Sequence, residues 1–356
     1  MRRATAAALL LALGACGGGS SSDPTPVATA TPPTSGSKVF DYAGVTHVSW
    51  WHDEYGYSAG TTSRSALAGT GAGWMGLLAT WYMETKSSSA IAPLANSSND
   101  DDVVRKAIDE AHALGLMVML KPHVDVRDGT WRAQIAPADP GAWFESYAAF
   151  MDHYAAIAAE KNVEMLCIGT ELMSMTRSPY SGSWSSVVAR IRARYRGALT
   201  YAANANDAAD EFTSAAVWPL VDVLGLDVYT PLTSKKNPTR AELAAAWRKN
   251  AAGNDMVAAY RNFQSAWGKP LVFTEIGYRS ADGANSTPWD WGMTAATDTG
   301  EQADCYAAMY EVWANEKSWF RGPFWWAWDV SAPAAGDSGY NPRGKPAEDV
   351  LRQWQK

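Results

Sequence analysis

Short apolar runs alternate with longer, one-sided amphipathic segments from Val39 onward. The short runs are almost continuously apolar, as expected of strands buried on both faces. The longer segments place apolar residues at i, i+3 and i+4, which is typical of a helix with one buried side. Eight strands are predicted, at residues 45–51, 74–82, 117–124, 163–172, 198–203, 221–229, 271–278 and 323–328. Helices are predicted at residues 101–114, 140–160, 184–195, 240–267 and 301–317.

Alternation of buried strands with helices predicts a parallel sheet covered on its outer face. Closure into one α/β domain, a (β/α)₈ TIM barrel over residues 38–356, is the simplest arrangement for this number of strands. The alternative is a doubly wound open sheet, which usually has a Gly-rich phosphate loop after an early strand. The Gly-rich segment at 69–73 precedes a strand instead, which favours the barrel.

The first 37 residues have a different composition from the rest. Residues 1–16 combine a basic start, an apolar run at 4–13 and the sequence Leu-Gly-Ala-Cys ending at Cys16. The run is too short to span a bilayer and predicts an export signal. It resembles a bacterial lipobox, in which Cys16 becomes the lipidated terminus; an ordinary secretory signal is the alternative. Residues 17–37, mostly Gly, Ser, Thr, Pro and Ala, predict a disordered tether, so we expect an exported domain lipid-anchored to the bacterial cell envelope.

Composition restricts the class of ligand. The net charge of −7 argues against nucleic acid or another polyanion as the main partner, whereas it does not affect a neutral one. The chain has 18 tryptophans, whose rings stack well on the apolar faces of sugars. Cys167 in a predicted strand and Cys305 in a predicted helix allow one disulfide, but two buried thiols are favoured. No Cys or His spacing typical of a metal site occurs, so neither a metal nor a cofactor is expected.

Polar and aromatic residues stand at the C-terminal ends of the predicted strands, where barrel enzymes place their active sites. They are Lys121, His123 and Asp125 at the end of the third strand, Glu171 at the end of the fourth, Asn204 at the end of the fifth, Asp227 and Tyr229 at the end of the sixth, Glu275 near the end of the seventh and Trp326 in the eighth. Such a gathering at one rim predicts a site.

Glu171 and Glu275 lie on strands four and seven, on opposite sides of an eight-membered ring, so their side chains can converge on one ligand. A carboxyl pair of this kind suits glycoside hydrolysis, since one protonated group assists the leaving group while an ionised one acts on the anomeric carbon. A separation of about 5–5.5 Å suits retention and about 6.5–9.5 Å suits inversion. The alternative is a structural ion pair with Arg or Lys, for which Arg279 is a candidate partner.

Several motifs resemble glycoside hydrolase family 113. They are LKPHVD at 120–125, DGTW at 128–131, CIGTEL at 167–172, LTYAAN at 199–204 and FTEIGY at 273–278, in this order across residues 42–330. The resemblance implies a (β/α)₈ retaining glycosidase in which Glu171 is the general acid/base and Glu275 the nucleophile. It also implies that Tyr229 hydrogen-bonds the nucleophile and that Trp326 forms a platform under the sugar.

The same resemblance implies β-1,4-linked mannan or manno-oligosaccharides as the substrate, a neutral β-linked glycan. Lys121, His123, Asn204 and Asp227 are expected to bind sugar near the cleavage point, and Trp50 in an outer subsite. Thr170 stands before the acid/base, where many relatives in the clan carry Asn that contacts the sugar 2-hydroxyl. Another group is therefore expected to bind that hydroxyl, either Asn204 or His123, so the sugar identity stays open.

Other interpretations remain at this point. His123 and Trp50 fit core packing, and the acidic segment at 99–102 fits a capped helix start better than a calcium site. Trp289 and Trp291 suit the wall of a cleft. A retaining enzyme acting on glucan or xylan, a non-catalytic glycan-binding barrel and a metal-dependent hydrolase are the competing functions. We expect a monomer that touches membrane only through the lipid on Cys16.

Overall fold

Eight parallel strands close into a barrel in the computed structural model, which describes residues 29–31, 38–208 and 210–355. Neighbouring strands in the chain are neighbours in the barrel, and β8 pairs with β1. The strands are β1 Gly44–Val48, β2 Trp74–Met83, β3 Met117–Val126, β4 Met165–Thr170, β5 Ala198–Asn204, β6 Val223–Val228, β7 Leu271–Ile276 and β8 Phe320–Asp329. The predicted TIM barrel is confirmed.

Helices cover the outside of the barrel. They are α1 Ser58–Ala68, α2 Asp101–Ala113, α3 Pro140–Glu160, α4 Ser181–Arg194, α5 Arg240–Ala246, α6 Met256–Trp267, α7 Thr299–Trp313 and α8 Pro346–Trp354. The sequence analysis missed α1 and α8. In α1 the buried face includes a serine and an arginine, Ser63 and Arg64, so its pattern of apolar positions is weak.

The prediction of one helix over 240–267 was wrong. The chain leaves the helix after Ala246 and re-enters it at Met256. Between them Gly253 adopts φ +85°, a left-handed conformation that favours glycine and ends helical structure. Asp255 then accepts a hydrogen bond from the Ala258 N–H at 2.9 Å and caps α6.

The acidic segment before α2 begins a helix as predicted, but its capping differs from the prediction. The helix starts at Asp101, with Asp101 and Asp102 in its first turn. The Asp100 side chain makes no capping hydrogen bond to the helix and instead lies 2.9 Å from His52 Nδ1. The first turn therefore owes its electrostatic complement to Asp101 and Asp102 alone.

A layer of apolar side chains closes the N-terminal end of the barrel interior. It comprises Trp74, Met119, Met165, Val223, Val272 and Phe324, drawn from six strands and no helix. Because side chains alternate along a strand, Lys121 and His123 share the interior face of β3 with Met119. The polar residues of β3 thus lie above this layer, toward the C-terminal mouth.

Both cysteines in the described part of the chain, Cys167 and Cys305, are buried free thiols, which confirms that prediction. The predicted signal and most of the predicted tether lie outside the described residues. Of the tether residues that are described, Ala30 donates its N–H to the Glu311 carbonyl at 2.6 Å. Among the helices described, none has both the length and the apolar character needed to cross a membrane.

Candidate active site

A bulge in β7 turns Glu275 into the barrel mouth. Strict alternation from Val272 places Thr274 inside and Glu275 outside. The pairing of β6 with β7 shifts, however, so that Leu226 is opposite Phe273 while Asp227 is opposite Glu275. The extra residue, Thr274, donates its hydroxyl to Asp227 at 2.7 Å. Glu275 therefore joins the interior face, as bulges near active sites often arrange.

Two side chains hold the Glu275 carboxylate. The Tyr229 hydroxyl donates to Oε2 at 2.7 Å, and the Lys121 ammonium contacts Oε1. Lys121 also lies 3.2 Å from Asp227 Oδ2, so one cation serves two buried carboxyl groups. Burial by itself lowers the pKa of Lys121, but the charges of Asp227 and Glu275 outweigh it and the net shift is upward. Lys121 therefore stays charged beside Glu275.

The placement of Lys121 and Asp227 differs from the predicted sugar contacts. Both side chains are completely buried and lie against Glu275 and each other. Burial and the charge of Glu275 raise the pKa of Asp227 well above its ordinary value. The structure therefore assigns these two residues a contact with the nucleophile candidate, and no surface of either is open to a sugar.

Arg279 is not the partner of Glu275, so that choice of partner was wrong, although Glu275 does form an ion pair. Its guanidinium donates to main-chain oxygens of Ser338, Asp290 and Met293 and to the Ser338 hydroxyl. Arg279 thereby ties the loop after β7 to the loop after β8. The cation at Glu275 is Lys121, which comes from the opposite half of the barrel.

Glu171 follows β4 with φ +52°, a left-handed conformation that is uncommon for a residue other than glycine. Two residues before it, Gly169 leaves room for the Tyr147 hydroxyl and the Tyr201 ring, both of which a Cβ would meet at 2.8 Å. The Glu171 N–H donates to the Ala202 carbonyl at 2.8 Å. Packing and hydrogen bonding around the end of β4 thus fix this backbone conformation.

The Glu171 carboxyl is held by two neighbours from the turn after β3. The Trp131 indole N–H donates to Oε2 at 3.1 Å, and Arg132 Nη1 lies 3.6 Å from the same oxygen. Arg132 also bonds Asp125, at 3.1 Å and 2.5 Å. Burial raises the pKa of Glu171, Arg132 opposes the rise, and the charge of Glu275 adds to it. The net shift is upward, which suits a carboxyl that must carry a proton.

Aromatic and polar groups line the mouth beside this pair. The His123 ring lies parallel to Trp326, with ring centres 6.3 Å apart, and its Nε2 is 3.8 Å from Glu275 Oε1. Burial lowers the pKa of His123 well below its ordinary value, and the neighbouring Arg132 and Lys121 lower it further, so the imidazole is neutral. Trp50, half-exposed, meets Trp326 edge-on at 6.3 Å. Contact of these three side chains with a sugar stays a prediction.

A cavity of about 290 Å³ continues the cleft between the ends of β1 and β8. Its walls include Trp50, Glu54, Asp329 and Asp337. Burial raises the pKa of Asp329 to about 6. Trp289 and Trp291 are exposed in the loop after β7, as expected of residues in a cleft wall, and their role stays a prediction.

Asn204 lies at the end of β5 with its side chain fully buried. Its Nδ2 donates to Glu211 at 3.3 Å, and its Oδ1 has no protein partner among the described residues. Contact of this amide with a sugar also stays a prediction.

Sequence reasoning missed Arg132 and Glu211. Arg132 lies in a single 3₁₀ turn, Arg132–Gln134, after β3, and its side chain reaches Glu171, which follows β4. Glu211 lies in a similar turn after β5, in a stretch without periodicity. Among the described residues, no group of three or more His, Cys, Asp and Glu side chains is placed to hold a metal ion.

A barrel with one carboxyl at the end of β4, another at the end of β7 and aromatic rings beside the second defines a (β/α)₈ glycosidase of the two-carboxylate class. The family model of glycoside hydrolase family 113 matches residues 47–345, and the chain belongs to that family. The resemblance inferred from the motifs is thereby confirmed.

Solved structures of the same family are similar over nearly the whole barrel. A family 113 β-mannanase from Alicyclobacillus acidocaldarius, solved in complex with ManMIm, is 32% identical, covers 89% of this chain and 97% of its own, and has a TM-score of 0.78. A family 113 β-1,4-mannanase solved as a complex is 27% identical, with 89% and 98% coverage and a TM-score of 0.77. Among curated proteins, none matches this sequence.

Proposed function

We propose that the protein is a retaining glycoside hydrolase that cleaves β-1,4-linked mannan or manno-oligosaccharides by double displacement. The observation that carries the proposal is the pair at the barrel mouth: Glu275 held by Tyr229 and Lys121, and Glu171 with a raised pKa. The substrate is supported by the two β-mannanases of the same family at 32% and 27% identity.

In the first step Glu275 Oε attacks the anomeric carbon and the bond to the leaving-group oxygen breaks. Glu171 gives its proton to that oxygen, so the leaving sugar departs as a neutral alcohol. In the second step the ionised Glu171 takes a proton from water. The water oxygen then bonds the anomeric carbon while the ester to Glu275 breaks, which restores both carboxyls and the original anomeric configuration.

The neighbours of each carboxyl suit these opposite roles. Lys121 contacts one oxygen of Glu275 and Tyr229 donates to the other, so the carboxylate that attacks is held in place. Glu171 lies among groups whose net effect raises its pKa, which favours the protonated form needed first. The ring of Trp326 is suited to stack on the sugar at the cleavage point, and the ring of Trp50 on a sugar in an outer subsite.

Cleavage of matched oligosaccharides tests the substrate. The purified protein is incubated with β-1,4-manno- and β-1,4-gluco-oligosaccharides of equal length, and the products are resolved by size. We expect cleavage of the manno series, with kcat/KM at least about tenfold above that for the gluco series, because a site built to bond one hydroxyl rejects its epimer. Cleavage of the gluco series alone would keep the mechanism and overturn the sugar. Binding without cleavage of either series would favour a glycan-binding protein.

Replacing Arg132 by glutamine is expected to move the basic limb of the pH profile of kcat/KM to higher pH. Arg132 lowers the pKa of Glu171, so its removal lets burial and Glu275 raise that pKa further. Since the first step needs protonated Glu171, activity then persists to higher pH. Arg127→Gln is the matched control, because Arg127 also follows β3 but pairs with the exposed Glu84. A basic limb that stays in place in Arg132→Gln alone would contradict this assignment of the acid.

We also propose that the protein is exported and held at the bacterial cell envelope by a lipid on Cys16. The proposal is supported by the basic start, the apolar run and the Leu-Gly-Ala-Cys sequence of residues 1–16. Labelling with radioactive palmitate in a bacterial host should mark the wild type and spare Cys16→Ser. Equal labelling of both would contradict the anchor.

A further inference from the structure

A second buried carboxylate, Glu211, lies behind the general-acid candidate. It opens the 3₁₀ turn Glu211–Thr213 after β5 and is 1% exposed. Four donors converge on it: the Tyr201 hydroxyl at 2.6 Å, the Thr176 hydroxyl at 3.1 Å, and the N–H and Nδ2 of Asn204 at 2.9 Å and 3.3 Å. A carboxylate with only donors around it acts as a fixed acceptor.

Tyr201 connects Glu211 to the chain at Glu171. The hydroxyl that donates to Glu211 Oε1 also accepts the Leu172 N–H at 2.7 Å. Leu172 directly follows Glu171, whose own backbone is left-handed. The position of the peptide after the general acid therefore depends on a hydroxyl whose orientation Glu211 sets.

Asn204, the last residue of β5, also contacts the Glu211 carboxylate. Its Nδ2 donates to Glu211 Oε2, which fixes the orientation of the amide and so of its acceptor, Oδ1. That oxygen is buried and has no protein partner in the described part of the chain. Since Asn204 is fully buried, its contact with Glu211 ties the turn that holds Glu211 to the end of β5.

We propose that Glu211 is a positioning residue for the general acid: through Tyr201 it fixes the peptide that follows Glu171. The inference rests on the proposed role of Glu171. Burial raises the pKa of Glu211, the hydrogen bonds from Tyr201 and the Asn204 N–H lower it, and the net result is about 7. The loop between β5 and β6 thus contributes to the chemistry on β4 without touching the substrate.

The dependence of kcat/KM on the leaving group distinguishes a misplaced general acid from a general loss of stability. Aryl β-mannosides with a phenol or a 2,4-dinitrophenol leaving group are compared by kcat/KM, because only the poorly leaving phenol needs the proton of Glu171. In Glu211→Gln and Tyr201→Phe we expect a loss of about tenfold to a hundredfold on the phenyl substrate and less than about threefold on the dinitrophenyl one. Tyr201→Phe removes one oxygen and carries the test should Glu211→Gln fail to fold.

Tyr195→Phe is the matched control. Tyr195 is also buried, and it donates its hydroxyl at 2.8 Å to the carbonyl of Val163. Val163 lies just before β4, at the end away from Glu171. Its ratio of the two kcat/KM values should equal that of the wild type. Equal losses on both substrates in Tyr201→Phe and Glu211→Gln would overturn the inference.

Glu171→Gln is measured alongside to test the proposed function separately. It should show the largest change in the ratio between the two substrates. An unchanged ratio in Glu171→Gln would overturn the assignment of the general acid, and the positioning role with it.

Discussion

Replacing Glu275 by alanine is expected to lower turnover of a β-mannoside by about 10⁴-fold or more while the barrel stays folded. Removing this carboxylate removes the atom that forms the covalent bond in the first step. Lys121 keeps Asp227 as its partner, at 3.2 Å, so no buried cation is left unpaired. Steady-state kinetics measure the loss, and circular dichroism with thermal unfolding checks the fold. A folded variant with near wild-type turnover would remove Glu275 from the mechanism.

Added azide distinguishes the nucleophile from the acid/base. In Glu275→Ala, azide has room to attack from the vacated side while Glu171 protonates the leaving group, which gives an inverted, α-configured glycosyl azide. In Glu171→Ala, an activated substrate still forms the ester with Glu275, and azide then displaces it to give the β-configured azide. The opposite assignment of products would exchange the two roles.

Replacing Lys121 by methionine is expected to destabilise the fold by about 3–5 kcal/mol, because it leaves Asp227 and Glu275 buried together without their cation. Turnover should also fall by about 10²-fold, since Lys121 contacts one oxygen of the carboxylate that attacks. Chemical denaturation measures the first effect and steady-state kinetics the second. Lys345→Met is the matched control: Lys345 is similarly buried, but its partner Asp337 is one-third exposed and can be hydrated instead.

A second substitution tests whether charge is the cause. Lys121→Met with Asp227→Asn restores the net charge of the cluster and should recover more than half of the lost stability, without recovering turnover. The single variant should lose further stability as pH rises above about 4, the ordinary pKa of an aspartate. Lys121 lowers the raised pKa of Asp227, so its removal raises that pKa further, and a carboxyl raised in the folded state costs stability as pH rises. A deficit independent of pH and not relieved in the double variant would show that packing is the cause.

The barrel and the two carboxyls were predictable from sequence for the same physical reason. A parallel barrel buries both faces of its strands, so each strand appears as an apolar run, and a charged residue is tolerated only near the end that opens to solvent. Glu171 and Glu275 are such residues, and the structure places both at the mouth. The helix-covered exterior was less predictable, since α1 buries Arg64 and α8 is only nine residues long.

The surroundings of the carboxyls were not predictable, because they depend on contacts between distant parts of the chain. Alternation alone directs Glu275 outward, and only the bulge opposite Asp227 reverses it. Lys121 resembles a rim residue in the sequence, yet it is drawn inward by carboxyls more than one hundred positions away. Arg132 and Glu211 act from short turns with no periodic pattern, so only the folded structure identifies their partners.

The first-formed anomer of the product tests the central claim most directly. The purified protein hydrolyses β-1,4-mannotetraose while ¹H NMR follows the anomeric protons from the first minutes, before mutarotation equilibrates them. Double displacement through Glu275 predicts that the new reducing end appears first as the β anomer and only later as the equilibrium mixture. Initial release of the α anomer would mean direct attack by water and would contradict a covalent role for Glu275.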